Sequence, residues 1–161
     1  MREAGARPAS GVDMEAGSTP LLSVRCAWRF ITATRPPFQV LVIDDASPDP
    51  DVWPRLNRIL KKYPFVRLLR NDVNLGFTRT VNKGIASCDG DVVLLNSDTN
   101  VTSSWLDKLV STAYSDNLVA TVTPLSNSAG AFSVPSTKNE NRLPSSLGIA
   151  GMSELLAKVS H

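Results

Sequence analysis

Hydrophobic and polar positions alternate between two periods along the middle of the chain. Val40-Leu41-Val42-Ile43 is a continuous aliphatic run, the pattern of a strand buried on both faces. It stops at Asp44-Asp45-Ala46-Ser47-Pro48-Asp49-Pro50, a dense cluster of turn formers. Val52, Leu56, Ile59 and Leu60 then recur at helical spacing, and Pro54 is tolerated in a first turn. The cycle repeats. Val66–Leu69 predicts a strand, and Asn71–Gly76 a loop. A helix follows with Phe77, Val81, Ile85 and Cys88 along one side. Val92–Leu95 predicts a third strand, ending at Asn96-Ser97-Asp98-Thr99. Thr102 or Ser103 is a suitable cap for a helix bearing Trp105, Leu106, Leu109, Val110 and Ala113. Val119–Val122 predicts a fourth strand.

The flanks lack this order. Residues 1–20 are rich in Ala, Gly, Ser, Pro and charge, and read as a disordered leader. Leu22–Thr34 predicts a short helix ended by Pro36-Pro37. After Thr123 the periodicity fades, with a short helix expected over Ser153–Val159. The expected domains are therefore a leader at 1–20, an α/β domain at 21–125 and an irregular tail at 126–161. Alternation of strand and helix implies an α/β fold, three layers deep (α/β/α), with a mostly parallel sheet. In such sheets ligands sit beyond the carboxyl ends of the strands. Both acidic clusters lie at those ends.

Composition narrows the partners. A formal net charge of +2 argues against a nucleic-acid surface. The two cysteines, Cys26 and Cys88, have neither metal-ligand nor redox spacing. The one histidine is His161, which removes a histidine-based zinc site or Ser-His-Asp triad. No apolar run approaches the roughly 20 residues that span a bilayer. A cytoplasmic protein is expected, with peripheral contact at the inner face of the membrane left open.

Each acidic cluster alone reads first as a turn. Asp44-Asp45 suits a loop capped by its own side chains, and also suits hydrogen bonding to a base or ribose. Asn96-Ser97-Asp98 suits a turn, and also suits a carboxylate holding magnesium or manganese against phosphates. Between them, Asn74 and Gly76 tolerate unusual backbone conformations at a helix start, and Asn82 is a mediocre helix former that needs a polar partner or solvent.

Together, three segments are more specific. Ile43-Asp44-Asp45-Ala46-Ser47-Pro48-Asp49 is followed by the run Asn71 to Ile85, which reads NDVNLGFTRTVNKGI. Gly90-Asp91-Val92-Val93-Leu94-Leu95-Asn96-Ser97-Asp98-Thr99 comes third. In order and spacing, over Phe38 to about Pro124, they resemble family-2 glycosyltransferases of the GT-A (nucleotide-diphospho-sugar transferase) fold. Thr34–Phe38 and Ser126–Leu143 are similar too. The resemblance implies that Asp45 reads the nucleotide base. It implies that Asn74, Gly76, Asn82 and Ser97 line the nucleotide sugar, and that Asp98 holds a divalent metal (Mg or Mn). The implied partner is a UDP-, dTDP- or GDP-linked sugar, transferred to an acceptor hydroxyl. Asn96 stands where the family's pattern has its first Asp.

Two departures are expected to matter. The family's opening strand, ending in a Pro-x-Tyr-Asn-type loop, has no counterpart in the hydrophobic pattern. The family's later acceptor segment and catalytic base have none either; Glu140 and Glu154 lie in no base motif, so no catalytic residue is assigned. The expectation is an incomplete fold, truncated at both ends, with residues 126–161 beginning the acceptor side. A nucleotide-binding relative without transfer activity is the alternative. A haloacid-dehalogenase-like phosphohydrolase fits less well, because Asn96 replaces its nucleophile.

Overall fold

The computed structural model describes residues 10–15, 38–138 and 141–159. The expected helix at Leu22–Thr34 lies outside them. The chain forms two compact units, residues 1–100 and 101–161. The sequence places its boundary later, at 125.

The first unit holds a four-stranded, wholly parallel sheet. Its strands are β1 (Ser10–Glu15), β2 (Gln39–Asp44), β3 (Val66–Arg70) and β4 (Val93–Asn96). Their order is β3-β2-β1-β4. Helix α1 (Val52–Leu60) connects β2 to β3, and α2 (Phe77–Ile85) connects β3 to β4. Strands β2 and β3 build outward on one side of β1, whereas β4 lies on the other. That reversal is a topological switch point, the place where open α/β sheets bind ligands.

Strand β1 corrects the expectation of an unstructured leader. Ser10–Glu15 pairs in parallel with both β2 and β4, where no strand was expected. The sheet therefore has no gap between β2 and β4. The sequence hid this strand for a physical reason. Ser-Gly-Val-Asp-Met-Glu lacks the aliphatic run of a central parallel strand, and glycine and aspartate are poor strand formers. The register is irregular between Ser10 and Val12, which flank that glycine.

Core burial follows the pattern on β2 and α1. Val40, Leu41, Val42 and Ile43 are buried on β2, and Val52, Leu56 and Leu60 are buried on α1, which packs on β3. Burying each such side chain is worth about 1.5–3 kcal/mol. Phe38 meets Phe65 edge to face, with ring centroids 5.6 Å apart, closing one end of this layer.

Helix α2 differs from its predicted orientation. Phe77 and Ile85 are exposed, and the residues it buries are Thr80 and Gly84. The helix packs on β1 and β2, and its small residues permit that approach. The amphipathic stripe is real, but the buried face is displaced from it.

In the second unit, α3 (Trp105–Ala113) buries Leu106 and α4 (Gly148–Val159) extends the predicted closing helix. Ser104, not Thr102 or Ser103, stands before α3; it is left-handed (φ 56°) and makes no side-chain cap bond. The expected fourth strand is absent. Val119–Val122 has no ladder partner among the described residues, and Leu118 and Val119 are exposed. A β-branched run becomes a strand only where an edge is available to it.

Candidate functional site at the carboxyl edge of the sheet

The β-ladders set the separation of the two acidic clusters. Ile43 of β2 and Asn96 of β4 both lie opposite Glu15 of β1. They are thus two strand spacings apart, about 10 Å. Asp45 and Asp98 each follow that level by two residues, so both occupy the carboxyl edge, on either side of the switch point.

Asp45 is buried and organises the loop between β3 and α2. Its Oδ1 accepts the Leu75 N–H at 2.9 Å and the Asn71 Nδ2–H at 2.7 Å. Its Oδ2 accepts the Gly76 N–H at 2.8 Å. The Asn74 amide donates to the Asp45 carbonyl oxygen at 3.0 Å, tying the loop back to the end of β2 a second time. Burial pushes the Asp45 carboxyl upward, but the bonds from Leu75, Asn71, Thr80 and Gly76 outweigh it. The net effect holds Asp45 below the ordinary carboxylate value. Ala46, next in the chain, turns through the left-handed region (φ 53°), which lets the backbone leave the strand abruptly.

Gly76 is required by its backbone. Its φ of 78° and ψ of 164° fall in a region essentially restricted to glycine. This conformation aims its N–H at Asp45 and starts α2 with its carbonyl accepting from Thr80 N–H at 3.1 Å. The next N–H groups of α2 therefore face the loop side with no intrahelical partner.

Sequence reasoning missed Asn71 and Thr80. Both are buried, and the Asn71 amide donates to Thr80 Oγ1 at 3.1 Å as well as to Asp45. A faint signal existed. Gly76, Thr80 and Gly84 recur every four residues, a stripe of small residues beside an asparagine directly after β3 that can bond in two directions. Also missed was the partner of Asp44. That side chain is fully buried; it accepts the Ser47 N–H at 3.0 Å and pairs with Arg70 Nε at 3.2 Å. The Arg70 contact is an ion pair without a hydrogen bond to Asp44 Oδ2. The Arg70 guanidinium lies 5.7 Å from the centre of the Trp53 ring.

Asn82 stands apart. It is exposed on α2, about 200° round the helix from Thr80. The fold therefore brings Asp45, Asn74 and Gly76 together and leaves Asn82 outside that cluster.

Asn96, Ser97, Asp98 and Thr99 form a tight turn closed by the Thr99 N–H donating to the Asn96 carbonyl at 3.1 Å. Ser97 is buried in it, and Asp98 is exposed. No described residue hydrogen-bonds the Asp98 carboxylate. Among the described residues no cluster of three potential metal ligands exists. One exposed carboxylate still fits magnesium or manganese, which commonly take one or two carboxylates and complete their shell with phosphate and water.

A family model described as glycosyl transferase family 2 matches residues 23–156, most of the chain. The chain belongs to that family. Its fold matches GT-A glycosyltransferases. The mannosyltransferase PcManGT from Pyrobaculum calidifontis, solved in complex with GDP-Man and Mn2+, superposes with a TM-score of 0.62 at 18% identity. That match covers 70% of this chain and 34% of the other. TarS 1–349 from S. aureus, in complex with UDP-GlcNAc, superposes with a TM-score of 0.56 at 16% identity, covering 65% and 30%. This family-2 chain thus spans about a third of the solved proteins it resembles. No curated protein matches it by sequence. Membership sets aside the phosphohydrolase alternative. Among the described residues, no helix is long and apolar enough to cross a membrane.

Proposed function

We propose that this chain forms the donor-binding part of a glycosyltransferase, holding a nucleoside-diphosphate sugar along the carboxyl edge of the sheet. The carrying observation is the pairing of a closed cluster with an open one across the switch point. At the β2 side, Asp45 draws Leu75, Gly76 and Asn71 into a fixed loop. At the β4 side, Asp98 presents a carboxylate that no described residue engages. A nucleotide laid along this edge has its base at the Asp45 end and its diphosphate at the Asp98 end.

Each residue has a separate part. Asp45 fixes the Asn74–Gly76 loop beside the base and offers it the acceptor capacity its own loop leaves over. Asn74 and Gly76 line the nucleotide, and Ser97 supports the turn that carries Asp98. Asp98 would hold a magnesium or manganese ion. Such an ion, when bound, neutralises charge on the departing diphosphate. The first N–H groups of α2 add a positive potential at the Asp45 end of the edge. The donor class is a UDP-, dTDP- or GDP-linked sugar; GDP-Man and UDP-GlcNAc, bound by the two structural relatives, bracket it. The transfer itself goes to an acceptor hydroxyl. Sugar release from UDP-GlcNAc and GDP-Man by the purified chain, with and without an added acceptor, tests transfer. Binding of neither donor at millimolar concentration contradicts the reading.

A further inference from the structure

We propose that Asn71 is a positioning residue for the donor loop and that Lys83, one turn beyond Thr80 on α2, holds it in its working orientation. The inference rests on the donor-binding reading for its functional consequence, but not for its structural part.

The loop from Asp72 to Asn74 has little apolar anchorage. Asp72, Val73 and Asn74 are all exposed, Val73 by 63%. Its geometry is therefore set by polar contacts at its base. Asn71 is the branch point of these contacts. Its backbone N–H donates to the Asp44 carbonyl at 2.9 Å, extending the β2–β3 pairing by one bond. Its side-chain amide donates to Asp45 Oδ1 and Thr80 Oγ1, and its Oδ1 accepts from Lys83 Nζ.

The chemistry of the partners dictates which way this amide faces. An ammonium group only donates, and an ionised carboxylate only accepts. Lys83 therefore requires the amide oxygen on its side, and Asp45 requires the amide nitrogen on the other. Flipping the amide would set donor against donor at Lys83 and acceptor against acceptor at Asp45. The lysine charge thereby acts on the Asp45 carboxylate through one intervening amide. Asp45 in turn holds Leu75 and Gly76. Lys83 itself is exposed, so its head group is tied at one end and reaches solvent at the other.

Direct contact between Lys83 and a phosphate would also reduce binding when lysine is lost. The two roles are separated by comparing Lys83→Met, Lys83→Arg, Asn71→Ala and the double variant in the full chain. Amide hydrogen exchange at Leu75 and Gly76 is read without nucleotide. Affinities for UDP and GDP are read with manganese. Lys83→Met should leave the melting temperature within a few degrees, and accelerate exchange at both amides by about tenfold, as loss of one charge-assisted bond implies. Lys83→Arg should restore most of that protection. Nucleotide affinity should fall about tenfold in Lys83→Met, and the double variant should be no weaker than Asn71→Ala alone, since the two act in one chain of contacts. Unchanged exchange in Lys83→Met overturns the proposal, even if Asn71→Ala fails to fold. Additive losses of affinity overturn it as well, and assign Lys83 to direct contact. If the wild type binds neither nucleotide, the donor-binding reading falls, while the exchange data still decide the orientation of Asn71.

Discussion

Replacing Asp45 with asparagine keeps the shape of the side chain and removes one acceptor and the charge. The two bonds to Oδ1, from Asn71 and Leu75, need an oxygen there. The new NH2 group must then face the Gly76 N–H, 2.8 Å from the present Oδ2. Donor meets donor, and a charge-assisted bond worth about 1.5–3 kcal/mol is lost. The two remaining bonds become neutral and lose part of their strength. The expected destabilisation of the first unit is about 2–4 kcal/mol at neutral pH. Urea titration should show a lower midpoint with an unchanged slope. The pH dependence gives an internal check. Because its folded pKa lies below the ordinary value of 3.8, the ionised carboxyl contributes stability above that pH. This contribution is lost as pH falls through the lowered folded value. The gap between Asp45→Asn and wild type should therefore be full at pH 7 and shrink only in strong acid. A loss under about 0.5 kcal/mol at pH 7, or a gap that persists unchanged into strong acid, refutes the loop-clamp reasoning.

Other outcomes follow from the same geometry. Gly76→Ala meets no neighbouring atom but forces a side chain onto a φ of 78°, and should cost about 1–3 kcal/mol in thermal or urea unfolding. Ala46→Gly relieves a left-handed alanine and should stabilise the fold by up to about 1 kcal/mol, after the entropy cost of glycine is met. Leu56→Ala, which empties a fully buried side chain on α1, should cost about 2–5 kcal/mol by the same assay and leave donor chemistry at the sheet edge intact in the folded fraction.

The sequence was most legible where one interaction dominates. On β2 and α1 apolar burial decides everything, and the continuous run Val40–Ile43 and the stripe Val52, Leu56, Leu60 transfer directly into the core. Legibility fell where the determining contact comes from elsewhere in the chain. Strand β1 is polar in composition, and its place follows from two neighbours with complementary registers. The buried face of α2 follows from how close a helix approaches the sheet, which favours Thr80 and Gly84 over the larger Phe77 and Ile85. Val119–Val122 carries strand composition without a strand partner among the described residues. At the proposed site, Asp45 and Asp98 stood out in the sequence by their place after strands, and the family resemblance, not the strand ends alone, pointed to their roles. Asn71 was not, because an asparagine after a strand looks like any turn residue until its four partners are known.

The central claim is that this family-2 chain binds a nucleoside diphosphate through a metal at Asp98. Calorimetric titration with UDP, dTDP and GDP, with and without manganese, measures it directly. Binding of at least one nucleotide that requires manganese, and that is lost in a folded Asp98→Ala variant, is the predicted result. Equal binding without metal, or equal binding by Asp98→Ala, contradicts it.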